Sequence, residues 1–168
     1  LEVVAQDPQQ GSIFYTLSQS ESGIPQFERN DTCVMCHVSE ATQNVPGLFV
    51  GSIFPSVDGT TMYGPAYTTD HRSPFELRWG GWYVTGTHGT QTHRGNLVGK
   101  EAFDKAAKQP NYKGNVTDLS PFFDLSPYPL KQSDIAALML LEHQTHMHNF
   151  ITRLRDESTL MIEQYGHV

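Results

Sequence analysis

The sequence predicts a small α+β domain poor in regular structure. It reads as a short N-terminal β-hairpin, a turn or short helix carrying two cysteines, an irregular Gly/Pro-rich middle and one long C-terminal helix. Three observations predict this. Residues 1–20 alternate crudely between apolar and polar, glycine and proline crowd residues 45–75, and a helical apolar pattern runs without a breaker from Ser133 or Asp134 to about Tyr165.

With 168 residues, 38% of them hydrophobic, the chain is long enough for one domain with a core of its own, and 1–168 is read as one. No apolar run approaches the roughly 18 residues that a membrane-spanning helix needs. The longest, Ile135-Ala-Ala-Leu-Met-Leu-Leu141, stops at Glu142 and His143. A net charge of −7 disfavours nucleic acid and anionic membrane surfaces as partners and permits a basic protein partner. The opening Leu1-Glu-Val-Val-Ala5 reads as strand and not as a secretion signal, an abrupt start expected of a processed piece of a longer precursor.

The first element is the hairpin, with Pro8 and Gly11 at its turn and Ile13-Phe-Tyr-Thr-Leu17 as its better strand. Residues 21–31 are polar and end in Asn30-Asp31-Thr32, a cap for the short helix that carries the cysteines. From 45 to 75 the breakers exclude long regular elements, although Leu48–Phe54 can be extended. Arg78-Trp-Gly-Gly-Trp-Tyr-Val-Thr-Gly-Thr-His88 follows and holds both tryptophans. The two glycines between them allow close backbone approach. A polar helix or loop is expected near 101–108 and turns over 110–129. On the final helix Ile135, Met139, His143, Met147, Phe150 and Leu154 share one stripe, expected to face the core, with Glu142 and His148 away from its centre.

The two cysteines stand in Cys33-Val-Met-Cys36-His37, the C-x-x-C-H spacing of covalent haem attachment. Two thiols three residues apart on a helical turn can reach the two vinyl groups of one porphyrin, and the next residue offers an imidazole to the iron. Other readings fit less well. A redox C-x-x-C requires a βαβ setting that is missing here. A zinc site with His88 and His93 would leave 51 residues (37 through 87) between Cys36 and His88, against about 12–15 in zinc fingers. A disulfide within C-x-x-C is strained. The expectation is one covalent haem c, with His37 as first axial ligand.

The opposite axial position has several candidates. His93 leads, in a segment where close backbone approach is expected. His88, His143 and Met62 are alternatives, as is Met139 or Met147 on the helix stripe, or an open iron. Trp79, Trp82 and Tyr83 are expected to pack the cofactor and Arg94 to pair with a propionate. His71, His146 and His167 read as solvated or capping residues.

These segments together resemble a group of secreted bacterial monohaem c-type cytochromes. The resemblance rests on Val4-Ala-Gln-Asp-Pro-x-Gln-Gly, Phe14-Tyr-Thr-Leu, the Cys33–His37 motif, Val45-Pro-Gly and Asp58-Gly-Thr. It continues in Arg72-Ser-Pro-Phe-Glu-x-Arg-Trp-Gly-Gly-Trp-Tyr-Val-Thr-Gly, His93-x-Gly-Asn, Leu141-Glu-His-Gln and Met147-His-Asn. It covers nearly the whole chain and implies a longer precursor, a periplasmic or extracellular location and a ligating histidine at His93. Relatives often place methionine where this chain has Arg94. No catalytic activity carries over.

Two functions are compatible with these readings. The first is a single-electron carrier with a bis-histidine haem and redox protein partners, alone or within a larger respiratory, photosynthetic or filamentous cytochrome assembly. The second is a haem enzyme or gas sensor with an open distal face, where Arg72, Arg78 or Arg94 would stabilise the bound molecule. An adventitious metal at Glu142, His143 and His146 is a minor third possibility.

Overall fold

A computed structural model describes residues 1–19, 23–60, 64–109 and 114–166. The chain is α+β with little regular structure. In order it forms β1 (Glu2–Asp7), β2 (Gly11–Leu17), β3 (Phe27–Arg29), α1 (Val34–His37), β4 (Val50–Ser52), β5 (Tyr67–Thr69), α2 (Gly99–Lys108) and α3 (Ile135–Tyr165). The hairpin and the long helix stand where the sequence places them, and α2 takes the helical option near 101–108. Contacts divide the chain into two compact units, Leu1–Phe49 with Gln144–Val168, and Val50–His143.

In the first unit β1, β2 and β3 form an antiparallel sheet in that order, with Glu2 opposite Thr16 and Asp7 opposite Gly11. The Asp7 carboxylate closes the β1–β2 turn by accepting the backbone N–H groups of Gln9 and Gln10, both at 2.8 Å. Ser12, Ile13 and Phe14 are all buried, so β2 is covered on both faces. Gly11 has φ 77°, and a Cβ there would stand 2.7 Å from Thr152 Cγ2. Glycine is required on both counts.

In the second unit β4 and β5 pair antiparallel, Val50 opposite Thr69 and Ser52 opposite Tyr67. Trp79 is fully enclosed and shares the core with Val84, Leu97, Leu119 and Leu125. The glycines after Trp79 do what the sequence suggests: a Cβ on Gly80 would collide with the backbone of Ile53. Where no ladder is available, side chains satisfy the backbone. Ser52 Oγ donates to Leu77 O (2.6 Å) and accepts from Gly80 N–H (2.9 Å). Asn96, with φ 64°, accepts from Val84 N–H (2.7 Å) and donates to Val84 O (2.9 Å).

α3 corrects the expected stripe. Its buried positions are polar: Glu142 (1% exposed), His146, Asn149 and Thr152. Met139, Phe150 and Leu154 are exposed, His143 is exposed, and Ile135 and Met147 are half-buried. His146, read as solvated, is buried. The physical reason is that the segments packed on α3 present polar groups to it: the Thr69 hydroxyl, the Arg78 guanidinium and the N–H and carbonyl of Leu48. Their backbone and polar groups need hydrogen-bond partners when buried, and an apolar helix face offers none.

Glu142 shows this within the second unit. It accepts from the Thr69 hydroxyl (2.9 Å) and from Arg78 Nη1 (2.9 Å). The same guanidinium donates to the carbonyls of Ser73 and His71. Burial pushes the Glu142 carboxyl above its ordinary range, and the Thr69 hydroxyl and Arg78 pull it back. Removing one member of such a pair strands the other, at a cost of about 3–5 kcal/mol. Arg78→Met is therefore expected to lower stability by that amount in denaturant unfolding. The double variant Arg78→Met/Glu142→Gln should recover much of the loss.

Candidate functional site

The cysteine turn is built locally. Asn30 accepts the N–H of Thr32 at 3.1 Å and opens a 3-10 turn over Asp31–Cys33 that runs into α1. Cys33 and His37 are i and i+4, so they share a helix face. Cys33 is half-buried, Cys36 exposed, and both are free thiols. After α1 the chain turns back through a capping box between Ser39 and Thr42. Gln43 and Asn44, both in the left-handed region, then deliver Gly47 to His37.

That return fixes the imidazole. His37 Nδ1 lies 2.9 Å from the carbonyl oxygen of Gly47. A carbonyl only accepts, so Nδ1 carries the proton and the lone pair of the neutral ring sits on Nε2. The ring is flanked by Phe14 (centroids 4.9 Å apart) and Phe49 (5.7 Å). Beside it lies a cavity of about 240 Å³ lined by Cys33 and His37 together with Val3, Val4, Phe14 and Leu48. These features fit a covalent haem at its attachment edge: the Cys33 thiol on the cavity, the exposed Cys36 thiol three residues on, an Nε2 lone pair and a largely apolar wall that also holds Glu2 and Tyr15. The cavity is smaller than the roughly 300–1,000 Å³ of whole-ligand sites. It suits one face of a macrocycle and does not enclose one.

Of the other residues singled out from the sequence, Trp79, Trp82, Tyr83, His88, His93, Arg94 and His143 belong to the second unit, while His146 and Met147 belong to the first. His93 is 2% exposed, its ring 5.6 Å from Trp79 and 4.9 Å from His88. Its Nδ1 accepts the N–H of Gly95 at 3.0 Å, which places the proton of the neutral ring on Nε2. His88 directs Nδ1 at Gln91 O (2.8 Å) and Nε2 at Gly114 O (3.2 Å). His143 meets the ring of His71 edge-on at 4.8 Å. Met62 and His167 lie outside the described residues.

The aromatic residues disperse. Trp79 packs edge-on against Phe75 at 4.9 Å, Trp82 donates Nε1–H to Gly51 O at 3.0 Å, and Tyr83 packs on Phe123 at 4.6 Å. Arg94 is different. It is 5% exposed and stacked on Phe54 (4.1 Å) and Tyr67 (4.7 Å). It donates from Nη2 to Pro65 O and, among the described residues, leaves Nε and Nη1 without partners. Burial lowers its pKa. Buried guanidinium donors facing no acceptor suit a carboxylate ligand.

The sequence did not point to Gly47 and Asn149 as site residues. Asn149 takes both polar groups of Leu48, accepting its N–H (3.2 Å) and donating to its carbonyl (2.6 Å). The only signal was their place in the short motifs Val45-Pro-Gly and Met147-His-Asn. Among the described residues no group of three or more His, Cys, Asp or Glu side chains could hold a metal ion, and no helix is long and apolar enough to cross a membrane. Comparison with protein-family models, with curated proteins and with solved structures finds no match to this chain.

Two outcomes follow from these geometries. Long-range nitrogen–proton NMR on the haem-free chain above pH 7 should show His37 as the Nδ1–H tautomer and His93 as the Nε2–H tautomer. Arg94→Met should leave the stability of the haem-free chain within about 1 kcal/mol of wild type, or raise it. A charge with unmade hydrogen bonds contributes little to folding.

Proposed function

We propose that this chain is a c-type cytochrome that passes single electrons between redox proteins outside the cytoplasm, in the periplasm or beyond it. One haem would be held by thioethers to Cys33 and Cys36, with Nε2 of His37 as axial ligand. The observation that carries the reading is the His37 Nδ1–H bond to the Gly47 carbonyl. It leaves the iron-binding lone pair on the residue that directly follows two free thiols in C-x-x-C-H spacing.

The bound group would supply one-electron iron chemistry, its potential set by ligands and surroundings. The chain's part is to hold and orient. Gly47 keeps the imidazole in one tautomer and one direction, which raises its basicity as a ligand. Phe14, Val4 and Leu48 keep water from that side. In the second unit, Arg94 has Nε and Nη1 unpartnered among the described residues, and such a guanidinium suits a carboxylate ligand. The net charge of −7 favours a partner with a basic docking face.

A second reading, a haem enzyme or gas sensor with an open distal face, is favoured by one observation. His88 and His93 direct ring nitrogens at backbone groups and are not poised as second ligands. Visible spectra of the oxidised and dithionite-reduced protein, before and after carbon monoxide, separate the two. The carrier predicts a low-spin reduced spectrum that carbon monoxide does not move. His93→Ala and His143→Ala then show which histidine completes the iron. A spectrum shifted by carbon monoxide rejects the carrier in favour of the open site. Haem staining after denaturing electrophoresis should persist in the wild type and vanish in Cys33→Ala/Cys36→Ala. A wild type without the stain rejects both readings.

A further inference from the structure

We infer that Asn149 is a positioning residue for the axial histidine, acting on His37 through the peptide group between Gly47 and Leu48; the inference rests on the haem reading above. That peptide is one planar unit, and both of its poles are taken. Its oxygen accepts the Nδ1–H of His37 at 2.9 Å, and its N–H donates to Asn149 Oδ1 at 3.2 Å. Imidazole, peptide and carboxamide therefore form a continuous hydrogen-bonded chain in which each bond polarises the next.

Several features make Asn149 a clamp and not an incidental neighbour. Its other terminus, Nδ2, donates to Leu48 O at 2.6 Å, so the side chain brackets residue 48 from both ends. Asn149 is 2% exposed, which keeps water from competing for either bond. A Cβ on Gly47 would occupy the place of the Asn149 carboxamide; only glycine lets the two approach. Gly47 N–H also donates to His37 O at 3.0 Å, tying the two residues by backbone as well as by side chain.

The consequence is electronic. An imidazole whose Nδ1–H is firmly accepted is a more basic ligand at Nε2, and a more basic ligand favours ferric over ferrous iron. Asn149 would thereby hold the potential of the protein down without touching the cofactor.

The test is redox titration of the purified holoprotein. Outer-sphere partners of a ligating histidine are commonly worth tenfold or more. Asn149→Ala should raise the ferrous-to-ferric ratio at a fixed applied potential by about tenfold, an upward shift of about 59 mV for a one-electron couple. Thr152→Ala is the control. Thr152 is buried on the same helix (6% exposed) and packs against Gly11, so its truncation removes comparable packing and should leave the potential unchanged. An Asn149→Ala protein that titrates like wild type, or a Thr152→Ala protein that shifts as far, overturns the inference.

If Asn149→Ala fails to mature, Asn149→Asp decides. It keeps an acceptor for Leu48 N–H and adds negative charge, so the ratio should fall; an unchanged or raised ratio overturns the inference. Wild-type protein without covalent haem shows failure of the underlying reading before any variant is made. Wild-type haem with an insensitive Asn149 shows failure of this inference alone.

Discussion

Buried peptide groups need hydrogen-bond partners, and in this chain very little regular structure is available to supply them. Among the described residues, five short strands, three α-helices and three 3-10 turns leave long stretches of glycine- and proline-rich backbone inside the two units. Short polar side chains answer the need. Asn96 closes on both polar groups of Val84, Asn149 on both of Leu48, and Ser52 bridges Leu77 and Gly80. Arg78 gathers the carbonyls of His71 and Ser73 before it reaches Glu142. A carboxamide carries both an acceptor and donors, so one asparagine can stand in for a strand neighbour at a single residue.

The same constraint explains the character of α3. A helix laid on a sheet edge or another helix would bury an apolar stripe. This one meets polar groups, on strand β5 as well as on irregular chain, and buries Glu142, His146, Asn149 and Thr152, while Phe150, Ile151, Leu154 and Ile162 stay exposed. Its polar contacts therefore decide which way the helix turns. Desolvating Glu142 is costly, and the cost is offset by two short bonds, to Thr69 and Arg78.

Around the cysteine turn these devices converge on one imidazole. Asn30 starts the turn, Gln43 and Asn44 reverse the chain, Gly47 accepts from His37, and Asn149 anchors the peptide that does the accepting. Each step is ordinary local chemistry. Their joint effect is to fix which nitrogen of His37 holds the proton and to leave the lone pair of the neutral ring on Nε2. In the second unit Arg94 is a buried charge stacked on Phe54 and Tyr67, with two of its nitrogens, Nε and Nη1, unanswered among the described residues.

The sequence by itself determined the element classes, because those depend on local pattern. Alternation gives the hairpin, breaker density excludes regular structure over 45–75, and an unbroken helical run gives α3. It also determined the candidate attachment motif, since the chemistry of Cys33, Cys36 and His37 depends on a spacing within one helical turn. Only the tertiary structure decided which face of α3 is buried, because that depends on whether the opposing surface needs carbon or hydrogen bonds. It alone showed that Trp79 and His93 are enclosed together. It also showed that Asn149, 102 positions beyond Gly47 along the chain (149 − 47), closes on the peptide behind His37. No periodicity encodes such a contact; it exists only once the chain has folded.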